Sequence, residues 1–99
     1  MLHTVNKSPF DRGSLESCLK QSKEGSAILF IEDGVYGALN NTKHSDMVKQ
    51  AMKSRKMYAL FPDIEARGMQ DKVIDGIKMI DYEGFIDLVV EQNTVQSWL

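Results

Sequence analysis

One cysteine in 99 residues, Cys18, excludes an intrachain disulfide and a cysteine-based structural zinc site. The two histidines, His3 and His44, lack the spacing of a metal pair. Glycine is missing where phosphate loops need it. Gly34 and Gly37 stand in a Gly-x-x-Gly context, without a Gly-x-Gly-x-x-Gly turn or a P-loop lysine. No serine occupies a Gly-x-Ser-x-Gly elbow. Nucleotide, zinc and classical hydrolase chemistry therefore have no support, and neither a metal nor a cofactor is expected. Neither sign of charge dominates: 12 basic against 14 acidic residues leave a net charge of -2. Sequence-independent binding to nucleic acid needs many cationic contacts to phosphate, so direct binding by this chain alone is not expected. No apolar run approaches membrane-spanning length, and Met1 to Lys7 lacks the charged flank and apolar core of a signal peptide. These features predict a cytoplasmic protein with no membrane partner. Its length predicts one domain over residues 1–99.

What the chain does have is centred on Ser26 to Leu39. Ala27 to Ile31 is an unbroken apolar run, too short for an ordinary helix and without polar alternation, which fits a strand covered on both faces. Glu32, Asp33 and Gly34 break it, and Val35 and Leu39 resume at helical spacing. That junction predicts a strand, a tight turn and a helix opening at Gly34 or Val35, at the carboxyl edge of a parallel sheet. Met1 to Val5 reads as a first strand, ended by Asn6-Lys7-Ser8-Pro9. Ser14 is a candidate cap for a helix bearing Leu15, Cys18, Leu19 and Ser22 on one face, with Gly25 closing it. Ser45 is a candidate cap for a second helical piece reaching Arg55, with Met47, Val48, Ala51 and Met52 as its apolar stripe. Met57 to Phe61 is the third strand, and Pro62 with Asp63 starts a short helix ending near Gly68. Ile77 to Ile80 is the fourth strand, leading through Asp81-Tyr82-Glu83-Gly84 into a last helix. Asn93 to Leu99 reads as a docked tail. Four strand–helix units predict a small doubly wound, Rossmann-like α/β fold, a parallel sheet with helices on both faces. Its unpaired outer strands predict association with other subunits.

Few residues are candidates for chemistry. Capped by Ser14, Cys18 would sit at the end of the first helical turn, where free backbone N–H groups favour a thiolate. Its place beside Leu15 and Leu19 favours inert packing instead, since free cysteine is among the most buried residue types. His3 has two readings, an activator of Cys18 or a satisfied structural histidine. Glu32 and Asp33 fit an acid/base pair or a turn and cap. Trp98 and Tyr82 suit either an interface or the core. Lys49, Lys53, Arg55 and Lys56 read as a solvated helix face.

Six segments in order resemble one family: Leu2-His3-Thr4-Val5-Asn6-Lys7-Ser8-Pro9-Phe10; Leu15-Glu16-Ser17-Cys18-Leu19; Glu32-Asp33-Gly34-Val35-Tyr36; Asp63 with Ala66-Arg67-Gly68; Asp81-Tyr82 with Phe85; and Thr94-Val95-Gln96-Ser97-Trp98-Leu99. On these the chain resembles the DsrH/TusB family over nearly its whole length. The resemblance implies a DsrEFH-like fold and a place in a heterohexameric persulfide relay, two copies each of three related chains. The partners implied are DsrE-like and DsrF-like (TusD-like and TusC-like) subunits and a DsrC/TusE-like sulfur acceptor. The principal cysteine of this sulfurtransferase assembly would lie on the DsrE/TusD-type chain. Cys18 falls on a cysteine position of DsrH relatives and is thereby a candidate persulfide carrier. That cysteine and the Thr94 to Leu99 tail point to the DsrEFH type of complex, in dissimilatory sulfur oxidation. The alternatives implied are a TusB-like role in tRNA 2-thiouridine synthesis and a purely structural subunit.

Overall fold

A computed structural model describes all of residues 1–99. Five strands, β1 (Leu2–Val5), β2 (Ala27–Phe30), β3 (Lys56–Leu60), β4 (Lys78–Ile80) and β5 (Val95–Trp98), form one sheet in the order β4-β3-β2-β1-β5. Every pairing is parallel. The helices α1 (Ser14–Gln21), α2 (Ser45–Ala51), α3 (Phe61–Ala66) and α4 (Tyr82–Gln92) make the crossovers with two 3₁₀ segments, Glu32–Ala38 and Gln70–Lys72. This is the doubly wound α/β fold expected.

The apolar run occupies the middle of the sheet, buried on both sides. Ile28 and Phe30 pack with Val5, Leu15, Cys18, Val48, Met57 and Ile64 on the face carrying α1, α2 and α3. Ala27 and Leu29 pack with Leu2 and Leu88 under α4. Each fully buried side chain of this size contributes about 1.5–3 kcal/mol.

The sequence reading has one strand too few. Residues 95–98 are not a docked tail but the fifth strand, paired to β1 with Leu2 opposite Val95 and Val5 opposite Trp98. An edge strand needs only one apolar side, so Val95-Gln96-Ser97-Trp98 carries too weak a pattern to read alone. Asn93, left-handed at φ 66°, turns the chain out of α4, and the Thr94 carbonyl accepts from the Leu2 N–H.

The carboxyl edge of β2 is shaped by a close approach. The Gly34 N–H donates to the Ile31 carbonyl at 2.8 Å, and a Cβ on Gly34 would lie 1.8 Å from the Val5 carbonyl oxygen. Only glycine lets the 3₁₀ segment cross β1 this tightly. Where a helix was expected from Gly34 or Val35, the 3₁₀ turn begins at Glu32, which adopts φ 52°.

Two expected caps are different in kind. Gly13, not Ser14, is the N-cap of α1, and the Ser14 hydroxyl donates to the Leu99 carbonyl at 2.9 Å. His44 is the N-cap of α2, while the Ser45 hydroxyl accepts from the Thr42 N–H and donates to the Leu39 carbonyl. The Ser14 hydroxyl has a distant partner that local sequence does not reveal, and the Ser45 hydroxyl folds back on the loop before it. Gly25, at φ 84°, turns the chain three residues beyond the Ser22 C-cap.

Candidate functional site

Cys18 is the only thiol, and its surroundings decide what it can do. It lies on the inner face of α1 with Leu15, at 0% exposure, within the cluster formed by Val5, Ile28 and Phe30. The unpaired amides of α1 end before it: the Ser17 N–H already donates to the Gly13 carbonyl at 3.0 Å. Burial is the larger influence and pushes the thiol up to about 12, while Arg55 pulls weakly the other way. This corrects the expectation of a thiolate poised at a helix start. The helix begins one residue earlier than a Ser14 cap implies, and its inward face is the sealed one.

His3 is on β1, on the same side of the sheet as Val5, and is almost wholly buried. Its Nδ1 accepts from the Trp98 indole N–H at 3.0 Å. Desolvation is the largest of the influences that hold its pKa below the usual 6.5, followed by the charges of the amino terminus and Arg55. No hydrogen bond joins His3 to Cys18, so this structure does not assemble the activating pair envisaged for them. Trp98 has its polar handle inside the domain, while Tyr82 is exposed on α4.

Glu32 and Asp33 act at the turn. The Glu32 N–H donates to Asp63 Oδ2 at 2.7 Å, and Asp33 Oδ1 meets Arg67 Nη2 at 2.8 Å. Arg67 also donates to the Asp63 carbonyl and stands 6.0 Å from the centre of the Tyr36 ring. Its pKa is raised, first by the hydrogen bond to Asp33. With one carboxylate engaged by a guanidinium and the other reaching only solvent, these residues do not form an acid/base pair. They tie the loop after β2 to α3 at the carboxyl edge. Ser8, Phe10, Asp11, Asp33 and Tyr36 line a shallow cleft of about 380 Å³ beside them.

Two arginines have roles the sequence reading did not give them. Arg67 stood in the sequence only as part of a segment shared with the family, and its bond to Asp33 joins residues 34 apart in the chain. Arg55 is no part of a solvated basic face. It donates through Nε to Ser22 Oγ at 2.7 Å and through Nη2 to the Ser22 carbonyl at 2.6 Å, closing the carboxyl end of α1.

A family model described as "DsrH like protein" matches residues 7–95. Protein TusB of Pectobacterium parmentieri is 35% identical over 99 residues, covering 99% of this chain and 100% of the relative. Protein TusB of Shigella flexneri is 32% identical over 98 residues, with 99% and 100% covered. Among solved structures, the ychN protein from E. coli superposes with a TM-score of 0.78 at 14% identity, covering 97% of both chains. Protein Tm0979 from Thermotoga maritima superposes with a TM-score of 0.64 at 24% identity, covering 95% of this chain and 97% of that one. The two structures share the fold.

Proposed function

From the premise that this chain belongs to the DsrH-like family, we propose that it is a subunit of a cytoplasmic heterohexameric sulfur relay, of the TusB type that serves tRNA 2-thiouridine synthesis. In this reading it supplies binding surface, and the sulfur-accepting cysteine belongs to a TusD/DsrE-like partner. The relay hands sulfur on to a TusE/DsrC-like acceptor.

The sealed Cys18 thiol is the observation that carries the scaffolding role. A thiol takes sulfur from a persulfide as the thiolate, by attack on the outer sulfur, which requires access and a lowered pKa. Cys18 has neither. With the Thr94 to Leu99 tail it pointed to sulfur oxidation, and a thiol buried in the core gives that pathway no chemical support. The end-to-end match to relatives named TusB supports the thiolation pathway.

Surface composition supports assembly. Along α4, Tyr82, Ile86, Val89 and Val90 are exposed at helical spacing, with Ile86 at 63% and Val90 at 75%. A contiguous apolar stripe of this kind marks an interaction surface. The outer edges of β4 and β5 are also unpaired.

Two measurements test the proposal. After treatment of the purified complex with a persulfide donor, weighing each chain should show added sulfur on a partner and none on this subunit; a sulfur adduct on Cys18 overturns the scaffolding role. Deleting the gene should abolish 2-thiouridine in tRNA. Retention of the modified nucleoside would overturn the thiolation pathway and leave sulfur oxidation as the alternative.

A further inference from the structure

The largest cavity, about 520 Å³, opens at the amino edge of the sheet, opposite the Arg67 network. His3, Ser26 and Gln96 line its floor, and Gln21, Lys23 and Glu24 from the end of α1 and the following turn form its wall. The register explains the convergence. His3 stands opposite Ile28 on one side and Gln96 on the other, so the side chains of His3, Ser26 and Gln96 all point to the α1 face.

Two of these residues are largely buried yet keep a polar atom that the protein does not use. His3 is 4% exposed and Ser26 is 6% exposed. Trp98 occupies His3 Nδ1, which fixes the neutral ring with its proton on Nε2. Neither His3 Nε2 nor Ser26 Oγ has a protein hydrogen-bond partner, and neither is sealed in as Asn6 Oδ1 and His44 Nε2 are. Both atoms open onto the cavity with their hydrogen-bonding capacity free, so a ligand entering it can be held by two preplaced groups at once.

The chemistry of that ligand follows from what the groups offer. His3 Nε2–H can only donate. Ser26 and the amides of Gln21 and Gln96 can donate as well. Lys23 adds a positive charge, with Glu24 beside it as the one opposing carboxylate. At the carbonyl end of α1, whose dipole would repel an anion, Arg55 places a compensating positive charge on the Ser22 carbonyl.

We propose that this cavity is a binding site for a compact oxyanion, the phosphate or carboxylate group of a small molecule, held by His3 Nε2–H, Ser26 Oγ and the Gln21 and Gln96 amides. Trp98 acts as a positioning residue by holding the histidine tautomer. The site is independent of the sulfur-relay reading, since it uses neither Cys18 nor the α4 surface.

Inorganic phosphate and acetate are the probes for the two oxyanion sources. Titrated separately into the ¹⁵N-labelled full chain at constant ionic strength, at least one should shift the His3 Nε2–H and Ser26 amide resonances saturably. Saturation by phosphate alone or acetate alone supports the site and identifies the source. Ser26→Ala should weaken binding about tenfold, the loss of one hydrogen bond to a charged group. Because Ser26 Oγ makes no hydrogen bond within the protein, that variant should fold normally and decides the matter even if His3→Gln does not fold. Absence of a saturable shift with both probes, or unchanged affinity in Ser26→Ala, overturns the proposal.

Discussion

Trp98 Nε1–H donates to His3 Nδ1 at 3.0 Å, joining the last strand to the first across 95 residues of sequence. The bond lies over the β1–β5 pairing, where Val5 is opposite Trp98. It joins the donor of a half-buried indole to the acceptor of a buried imidazole, so both rings lose their freedom together. Trp98→Phe keeps much of the apolar volume but leaves Nδ1 without a donor. The expected loss is about 1–3 kcal/mol in chemical denaturation. The same variant should raise the His3 pKa, because a donor to Nδ1 stabilises the neutral ring.

His3 also gives stability a pH dependence with a definite sign. Its folded pKa lies below 6.5 through burial first, then through the charges of the amino terminus and Arg55. On acidification the unfolded chain takes up the proton first, so stability falls as pH drops from 6.5 toward the folded value and levels off below it. Denaturation midpoints measured across that range should show the decline in the native chain and lose it in His3→Gln.

Cys18 predicts the opposite sign on the alkaline side. The folded thiol is pushed up to about 12 from an ordinary value of 9.0. Above that ordinary value the unfolded chain loses a proton that the folded chain keeps, so stability falls with rising pH by up to about 1.4 kcal/mol per unit. Cys18→Ala should cost about 1–2 kcal/mol through the small cavity it leaves and should flatten this alkaline decline. Cys18→Ser is a poorer test, despite its similar size, because it puts a hydroxyl among Leu15, Ile28 and Phe30. In the native chain, alkylation of Cys18 should proceed only at the rate of global opening.

Gly34 is the position where the fold tolerates least. A methyl group there meets the Val5 carbonyl oxygen at 1.8 Å, and that atom is backbone, accepting from the Ile31 N–H at 3.0 Å. Gly34→Ala should therefore cost about 3 kcal/mol or more, the upper end for an overpacked site. A thermal melt should show it far below Gly13→Ala, where the added carbon meets nothing within 4 Å.

The contrast between β2 and β5 shows how much of the fold was legible in the sequence. Ala27 to Phe30 must be buried on both faces, so composition alone placed it centrally. Val95 to Trp98 joins the sheet through pairing with β1, and pairing is a long-range property that a four-residue pattern does not encode. The same division applies to the candidate site. Pro62 and Asp63 as a helix start were local and readable, whereas the Arg67–Asp33 bond and the Arg55 closure of α1 depend on elements meeting in space. Cys18 shows the division within one residue. Its helical face was readable; which way that face points was decided by the sheet.

The α4 stripe supplies the prediction that separates folding from assembly. Phe85 and Leu88 turn inward onto the sheet, whereas Ile86 and Val90, one turn apart, face solvent. A charge at an exposed helical position with no buried neighbour to displace changes stability by only about 0.5 kcal/mol. Ile86→Glu and Val90→Glu should therefore leave the denaturation midpoint of the isolated chain almost unchanged. Within an assembly the same positions would be desolvated, and an unpaired carboxylate buried there costs several kcal/mol, enough to lower affinity by orders of magnitude. Co-expression with TusC-like and TusD-like chains followed by size-exclusion chromatography should recover the complex with the native chain and lose it with Ile86→Glu/Val90→Glu. Recovery of an intact complex with the double variant would show that α4 faces solvent in the assembly, and would move the interface to the unpaired edge of β4 or β5.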